Sequence, residues 1–434
     1  MIIDAEGQIF EYYNPMNILV LNCGSSSVKF QIIATDEARA ARNRDECLAK
    51  GVVERIGSLA LISFEVNGRP PLKEDAPIRD YREAVKRIAE WLESPQSQIQ
   101  GIRSLSDIHA IGHRVVHGGE KFKSSIIIDK AVEDGISDCI DLAPLHNPAN
   151  LKGIRAAREI FGPTVLQVAV FDTAFHSTMP EISYLYPIPY HFYRRLKIRR
   201  YGFHGISHQY IAMRYQSLAG VSPQETDIIS LHLGNGSSVC AIKGGKSFDT
   251  SMGFTPLEGL AMGTRSGDID PSIIEYISHK EGMSITDIVA MLNRESGLLG
   301  ISGITSDMRE LLDEEKESHD RRAHLAIDIF CLRARHYIGA YLAEMGGAKA
   351  VIFTGGIGAN SPQIRERICA GLEPLGLSLD SRKNSAESSE ERLISASESR
   401  IEAYVIAANE ELVIARDVCR LAGSEMPHRR SEKM

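Results

Sequence analysis

The sequence predicts an α/β protein built as a duplicated pair of domains, and three observations predict it. Ile18–Phe30 (ILVLNCGSSSVKF) is an apolar run, a turn of small polar residues and a second apolar run. Ile228–Ile242 (IISLHLGNGSSVCAI) repeats that pattern roughly two hundred residues later, which reads as an internal duplication. At 434 residues the chain exceeds what one hydrophobic core usually organises, so two domains are expected.

The first hairpin admits two readings. Gly24 lets the backbone bend, Ser25, Ser26 and Ser27 offer hydroxyls and N–H groups, and Lys29 follows, a combination suited to phosphate. Gly and Ser also dominate ordinary turns. The second copy favours phosphate, with a ligand between the two halves.

After the hairpin, Glu37–Arg44 is a solvated turn or short helix and residues 50–66 read as further strand. Tyr81–Glu93 places Val85, Ile88, Ala89 and Leu92 at helical spacing. Ile108–Glu120 (IHAIGHRVVHGGE) reads as a strand entering a Gly-Gly turn. On a strand, His113 and His117 stand roughly 13 Å apart, too far to share a metal ion. Leu142–Asn150 leads into a helix through Phe161, with Pro148 near its start. Pro163–Phe175 is a buried strand carrying Asp172, an acid that faces a site or caps a turn.

Tyr201–His208 (YGFHGISH) is a Gly-rich turn followed by a helix capped by Ser207; His204 and His208 lack an acidic partner at zinc-hydrolase spacing. Gly245-Lys246-Ser247 is not a Walker A motif, because Cys240 stands where the first glycine is needed. The glycine-dense Met252–Pro271 carries Arg265 and Asp268 on a loop suited to active-site machinery. Helices follow at Ser272–Lys280 and Ile285–Glu295, a turn at Ile301–Arg309, and a long core helix at Asp320–Met345. Ala348–Asn360 is a buried strand delivering a Gly-rich turn, with Ser361 and Pro362 opening the next helix toward a nucleotide phosphate or sugar. Ser361 falls where a dinucleotide fingerprint needs its last glycine. A charged connector (380–400), a last strand and a final helix beginning at Asn409-Glu410-Glu411 complete the chain.

Composition sets bounds on these readings. A 43% apolar and 24% charged content is that of a globular protein, and a net charge of −8 with scattered basic residues gives no footprint for nucleic acid. Seven widely spaced cysteines without a Cys-x-x-Cys pair point to reduced thiols in a cytoplasm. The first fourteen residues do not resemble a signal peptide, and no apolar run is long enough to span a membrane.

Nine stretches in order, LNCGSSSVKF, GHRVVHGGE, LAPLHNPANL, FDTAFH, YGFHGISH, HLGNGSSV, MGFTPLEGLAMGTRSGDIDP, FTGGIGANS and NEELVIARD, resemble the acetate kinase family of the actin, sugar-kinase and heat-shock ATPase superfamily. The resemblance implies a duplicated actin-like ATPase (ribonuclease H-like) fold with an interdomain active-site cleft and a homodimer. The layout expected is an N-terminal domain at 17–165 closed by a helix at about 405–423, and a second domain at 166–404. Residues 1–16 are expected as an extension and 424–434 as a disordered tail.

By that resemblance the reaction is Mg²⁺-dependent transfer from ATP to acetate, giving acetyl phosphate and ADP, with Mn²⁺ able to substitute; a propionate or short-chain fatty acid kinase is the alternative. The resemblance assigns Asn22 and Glu410 to the metal and Lys29 to the nucleotide phosphates. Leu231, His232, Leu233, Gly234 and Asn235, then Asp307, Met308 and Arg309, then Gly356, Ile357, Gly358, Ala359 and Asn360 match the nucleotide-binding turns. Arg114 and Arg265 match arginines that hold the acyl carboxylate and the phosphoryl group, and His204 a donor to a phosphoryl oxygen. Val116, Leu145, Phe203 and Pro256 match the wall around the acyl methyl. Asp172 matches the family's acid/base, yet acetate is already ionised at neutral pH, so its chemistry suits an orienting group better.

Four features depart from the pattern: Ala359 where Glu is common, Cys23 where Ala is usual, Met308 in place of an aromatic, and the N-terminal extension. Cys23 is read either as a thiol sensitive to oxidation or as a small buried filler. Two other classes compete. A non-catalytic ATP-binding relative predicts loss of the arginines or Asp172, which are present, and a zinc hydrolase predicts activity without nucleotide.

Overall fold

Strand and helix formation follows the apolar patterning closely, and it builds two large sheets on one plan. The computed structural model describes residues 2–3, 9–10, 15–388 and 390–431, with side chains described between 15 and 424. The chain divides into two compact units, one running through Ala174 and resuming at Glu410, the other Phe175–Asn409.

In the first unit the hairpin is formed by Met16–Cys23 and Ser27–Thr35, paired antiparallel from Met16↔Thr35 to Cys23↔Val28. Glu46–Glu54, Ser58–Val66 and Leu72–Ile78 extend the sheet antiparallel on one side. Ala110–Val115 and Leu166–Phe171 extend it in parallel on the other. Strands buried on both faces read as continuous apolar runs, and Ile18, Leu19, Val20 and Leu21 have no exposed surface.

Tyr81–Glu93 covers one face. Asp80 caps it by accepting from Glu83 N at 2.9 Å, and Val85, Ile88, Ala89, Trp91 and Leu92 point into the core. Phe30, Phe64 and Trp91 form its aromatic centre, with ring centroids 4.6–5.8 Å apart. The final helix, Glu410–Ser431, packs on the first-unit sheet, where Ile414 and Val418 occupy the space above Gly112.

The second unit repeats the plan. Lys246–Thr250, Ser237–Lys243 and Ile228–Leu233 run antiparallel, followed by Ala350–Thr354 and Glu402–Val405 in parallel. In each sheet a two-residue strand, Ile126–Ile127 or Arg392–Leu393, closes the edge antiparallel. The Arg321–Met345 helix, capped by Asp320 and ended by left-handed Gly346, supplies Ala326, Ile327, Phe330, Ala334 and Ile338 to the core. Among the described residues no helix is long and apolar enough to cross a membrane.

Several expectations need correction. The Leu166–Phe171 strand pairs with Ala110–Val115 in the first sheet, so the division falls after Ala174 and not at 165. The tail expected to be disordered from 424 is helical through Ser431, and 432–434 lie outside the described residues. Of the expected extension, Ile2–Ile3 pairs antiparallel with Ile9–Phe10, and most of the remainder lies outside the described residues. The helix after YGFHG begins at Gly205 with His204 at its cap position, which places Ser207 inside the first turn. Gly355–Asn360 is a short helix rather than an open turn, while Ser361 does cap the next helix, accepting from Ile364 N at 3.4 Å.

Candidate active site

Two clusters of chemistry-bearing side chains stand at the ends of the central strands, one in each unit. In the first unit, Asn22 near the end of Met16–Cys23 lies in register with Arg114 on Ala110–Val115, and Asp172 follows directly on Leu166–Phe171. Arg114 is held by a bidentate pair, Nε to Asp172 Oδ1 at 2.9 Å and Nη2 to Oδ2 at 2.5 Å. Its Nη1 reaches Asn22 Oδ1 at 3.4 Å, and Glu410 Oε2 lies 3.5 Å from Nε.

Burial pushes the Asp172 carboxyl up from its usual value against the pull of Arg114, and Glu410 adds to the rise. The carboxylates around Arg114 raise its guanidinium further against the cost of burial. Glu411 is also raised, by burial and by Glu410, with Arg114 and Lys29 opposing. All the donors here are oxygens, so the set fits a hard divalent cation and not zinc. Among the described residues no group of three His, Cys, Asp or Glu forms a ready cage.

The walls of this cluster are set by the LAPLHNPANL stretch. Asn147 Oδ1 accepts from His117 N at 3.1 Å and Asn150 Oδ1 from Val116 N at 3.1 Å, while Asn150 Nδ2 donates to Cys23 O at 2.9 Å. Thr173 Oγ1 accepts from Gly118 N at 3.1 Å. Tyr81 donates to Gly24 O at 2.6 Å and pins the serine turn. Cys23 fills the space over Gly153, and burial pushes its thiol up to about 12, the inert filler of the two readings.

In the second unit, Gly234-Asn235-Gly236 joins Ile228–Leu233 to Ser237–Lys243. The rings of His204 and His232 stack 4.3 Å apart, held by Ser238 Oγ at 3.0 Å from His204 Nδ1 and Ser207 Oγ at 2.8 Å from His232 Nδ1. His204 has a left-handed backbone (φ 57°), a strained conformation that aims its ring from the start of the Gly205–Ala219 helix. A Cβ on Gly236 would stand 3.3 Å from Arg265 Nη1 and 3.6 Å from His204 Nε2, so the turn, the guanidinium and the imidazole converge.

Arg265 contrasts with Arg114. Its Nη1 reaches only the Pro256 carbonyl at 3.4 Å and Met262 Sδ at 3.7 Å, and among the described residues no carboxylate pairs with it. Burial accordingly lowers its pKa. An unneutralised guanidinium beside an imidazole and a small-residue turn is suited to an anion.

Both nitrogens of His208 are taken by Ser230 and Ser238, and burial with neighbouring histidines holds it well below its usual pKa. His113 bonds Gln167 at 2.7 Å on its strand.

The remaining expected positions sort by exposure. Val116 and Phe203 are buried, Pro256 is half-buried and Leu145 is 54% exposed. Leu231, Leu233 and Met308 point into the second-unit core, which leaves only their backbones to reach a ligand. Asp307 and Arg309 bond one another at the start of Met308–Glu317. Lys29 is exposed. In the Gly355–Asn360 helix, left-handed Gly355 (φ 75°) passes so close to Leu233 that a Cβ would meet its carbonyl at 2.6 Å, and Asn360 Nδ2 donates to Gly356 O at 2.9 Å.

Sequence reasoning missed Glu411, although it stands beside Glu410 in NEELVIARD, and it gave Asn147 and Asn150 no task although their motif was noted. It also missed Arg365, which is fully buried and donates to Gly358 O and Ala359 O at 2.9 Å and to Asn384 Oδ1 at 2.8 Å. No local signal marks a guanidinium that serves carbonyls.

Residues 17–416 match the model of the acetokinase family. The chain is 59% identical over 413 residues to the acetate kinase of Solibacter usitatus, covering 95% of this chain and all of that one. It is 56% identical over 411 residues to the acetate kinase of Chloroherpeton thalassium, covering 93% and 99%. Among solved structures it resembles Porphyromonas gingivalis acetate kinase (TM-score 0.87, 41% identity, covering 94% of this chain and 100% of that one). It also resembles a propionate kinase from Francisella tularensis (TM-score 0.84, 43% identity, covering 93% and 98%).

Proposed function

The chain belongs to the acetokinase family, and from that premise we infer that it moves a phosphoryl group between ATP and acetate, giving acetyl phosphate and ADP. The observation that carries the assignment of roles is Arg265, a withdrawn guanidinium without a carboxylate partner among the described residues, converging with His204 on Gly236. A transferring phosphoryl group spreads negative charge over its equatorial oxygens, and two donors aimed in advance stabilise that charge without reorganising.

Acetate arrives ionised, so no base has to remove a proton. Asp172 therefore acts through Arg114: its bidentate grip fixes the guanidinium that serves the acyl carboxylate. Asn22 and Glu410, with Glu411 behind them, are the residues that would hold Mg²⁺, an ion that screens phosphate charge when bound. Lys29 and the Gly234–Gly236 and Gly355–Asn360 turns serve the nucleotide, and Val116, Phe203 and Pro256 the acyl methyl.

Solution as a cytoplasmic homodimer completes the proposal. The segment from Glu181 to Leu196 supports the dimer: Ile182 is 89% exposed, and Ile188, Tyr190 and Leu196 are each about half exposed.

The likeness to a propionate kinase supports a second reading, in which the longer acid is preferred. Hydroxylamine trapping of acyl phosphate from ATP, Mg²⁺ and each acid separates the two. The expected result is a kcat/KM for acetate about ten- to two-hundredfold above propionate, the value of one methylene in a tight apolar pocket. A preference for propionate establishes the second reading, and no hydroxamate from either acid rejects both.

A further inference from the structure

The loop that carries Arg265 is anchored by groups with no assigned role. Arg200 Nη1 donates to Thr250 O at 2.8 Å and Ser251 O at 3.2 Å, fixing the point where the loop leaves the Lys246–Thr250 strand. Its Nη2 donates to Glu258 Oε1 at 2.8 Å. Glu258 Oε2 accepts a hydrogen bond from the Tyr186 hydroxyl, and the same hydroxyl oxygen accepts from Phe254 N at 2.7 Å. Tyr201 N and Gly202 N donate to Gly253 O at 3.0 and 3.3 Å. Packing is so close that a Cβ on Gly253 would collide with both Glu258 and Tyr186.

Residues 253–258 are thus tied at 253, 254 and 258. In the middle of the tied stretch is Pro256, whose carbonyl accepts from Arg265 Nη1. The backbone of Arg265 is fixed independently, its carbonyl accepting from Met262 N at 3.0 Å and Ser266 N donating to Leu292 O at 2.9 Å. The Pro256 carbonyl and Met262 Sδ are the two atoms that the fork of this backbone-anchored arginine meets among the described residues. Burial and the Glu258 carboxylate push the Tyr186 phenol up, which keeps its proton in place as the donor.

We propose that Tyr186, Glu258 and Arg200 form a clamp that sets the Pro256 carbonyl and through it the Arg265 guanidinium, and that they are positioning residues for phosphoryl transfer. The proposal rests on the role given to Arg265 above. It assigns function to three side chains outside the set of proposed donors and ligands.

Tyr186→Phe removes one hydroxyl and leaves the ring, so it tests the clamp with little disturbance. A misplacement of about 1 Å costs up to a hundredfold in rate, and kcat is expected to fall about ten- to a hundredfold. KM for ATP and acetate should stay within about twofold, because the interaction lost is one made in the transition state. In an Arg265→Ala background the same substitution should change kcat less than about twofold, since the group it positions is gone. Glu258→Gln, which keeps an acceptor and the side-chain volume, should lose less than Glu258→Ala and repeats the test if Tyr186→Phe melts early. Equal losses in both backgrounds, or unchanged kcat for Tyr186→Phe in the parent, overturn the clamp. If Arg265→Ala alone keeps normal turnover, the reading of Arg265 falls and the clamp with it, a failure distinct from the first.

Discussion

Arg114 and Arg265 are both guanidiniums withdrawn from solvent, and the company each keeps separates their work. Asp172 takes two of the donors of Arg114 in a bidentate carboxylate geometry, so Arg114 is oriented and partly neutralised. Arg265 has a carbonyl and a thioether instead, and its charge remains available to an anion. The pH profile of Asp172→Asn distinguishes orientation from proton transfer. If Asp172 orients Arg114, turnover falls and the acid limb of kcat keeps its shape; loss of that limb would mark Asp172 as a base. The chemistry of these residues was legible in the sequence, because an acid ending a buried strand and an arginine in a glycine-dense loop each have few bland uses. Their partners were not legible. The tie from Tyr186 to Glu258 and the hold of Arg365 on the Gly358 carbonyl span separations that sequence periodicity does not encode.

At the scale of elements, the two hairpins and the strands entering Asp172 and Thr354 were readable because apolar runs ended by Gly and Ser have a single economical fold. Leu72–Ile78 was missed because Lys73, Glu74 and Asp75 obscure an edge strand, and Gly355–Asn360 because three glycines argue against the helix that tertiary contacts impose. One pair of elements carries a pH signature. Asp249 on Lys246–Thr250 and Glu344 on Arg321–Met345 face each other beside Arg200. Burial first, and then Glu344 and Glu258, push Asp249 up to about 7, with Arg200 opposing. A carboxyl raised on folding binds its proton more tightly in the folded state, so its contribution is lost as pH rises from its unfolded value toward 7. Asn mimics the protonated acid. The melting temperature of Asp249→Asn relative to the parent should therefore be more favourable at about pH 8 than at about pH 5; an equal difference at both would contradict the shift.

At the scale of the molecule, duplication was the legible feature, since the same five-strand plan appears in both sheets. The place of division was not, because the Leu166–Phe171 strand belongs to the first unit for a reason of pairing that no composition shift announces. The exposed apolar residues between 181 and 196 bear on assembly. Ile182→Asp with Leu196→Asp should halve the apparent mass in sedimentation while each chain keeps its helical signal, and an unchanged mass would place any dimer contact elsewhere.

The central claim is that Arg265 stabilises a phosphoryl group passing from ATP to acetate. Its most direct measurement is acyl hydroxamate formation from ATP, Mg²⁺ and acetate by the parent and by Arg265→Ala, with circular dichroism as the check on folding. The account predicts robust formation by the parent and a loss of at least about a hundredfold in kcat with the fold intact, the usual cost of one transition-state donor. Near-normal turnover in a folded Arg265→Ala would contradict it.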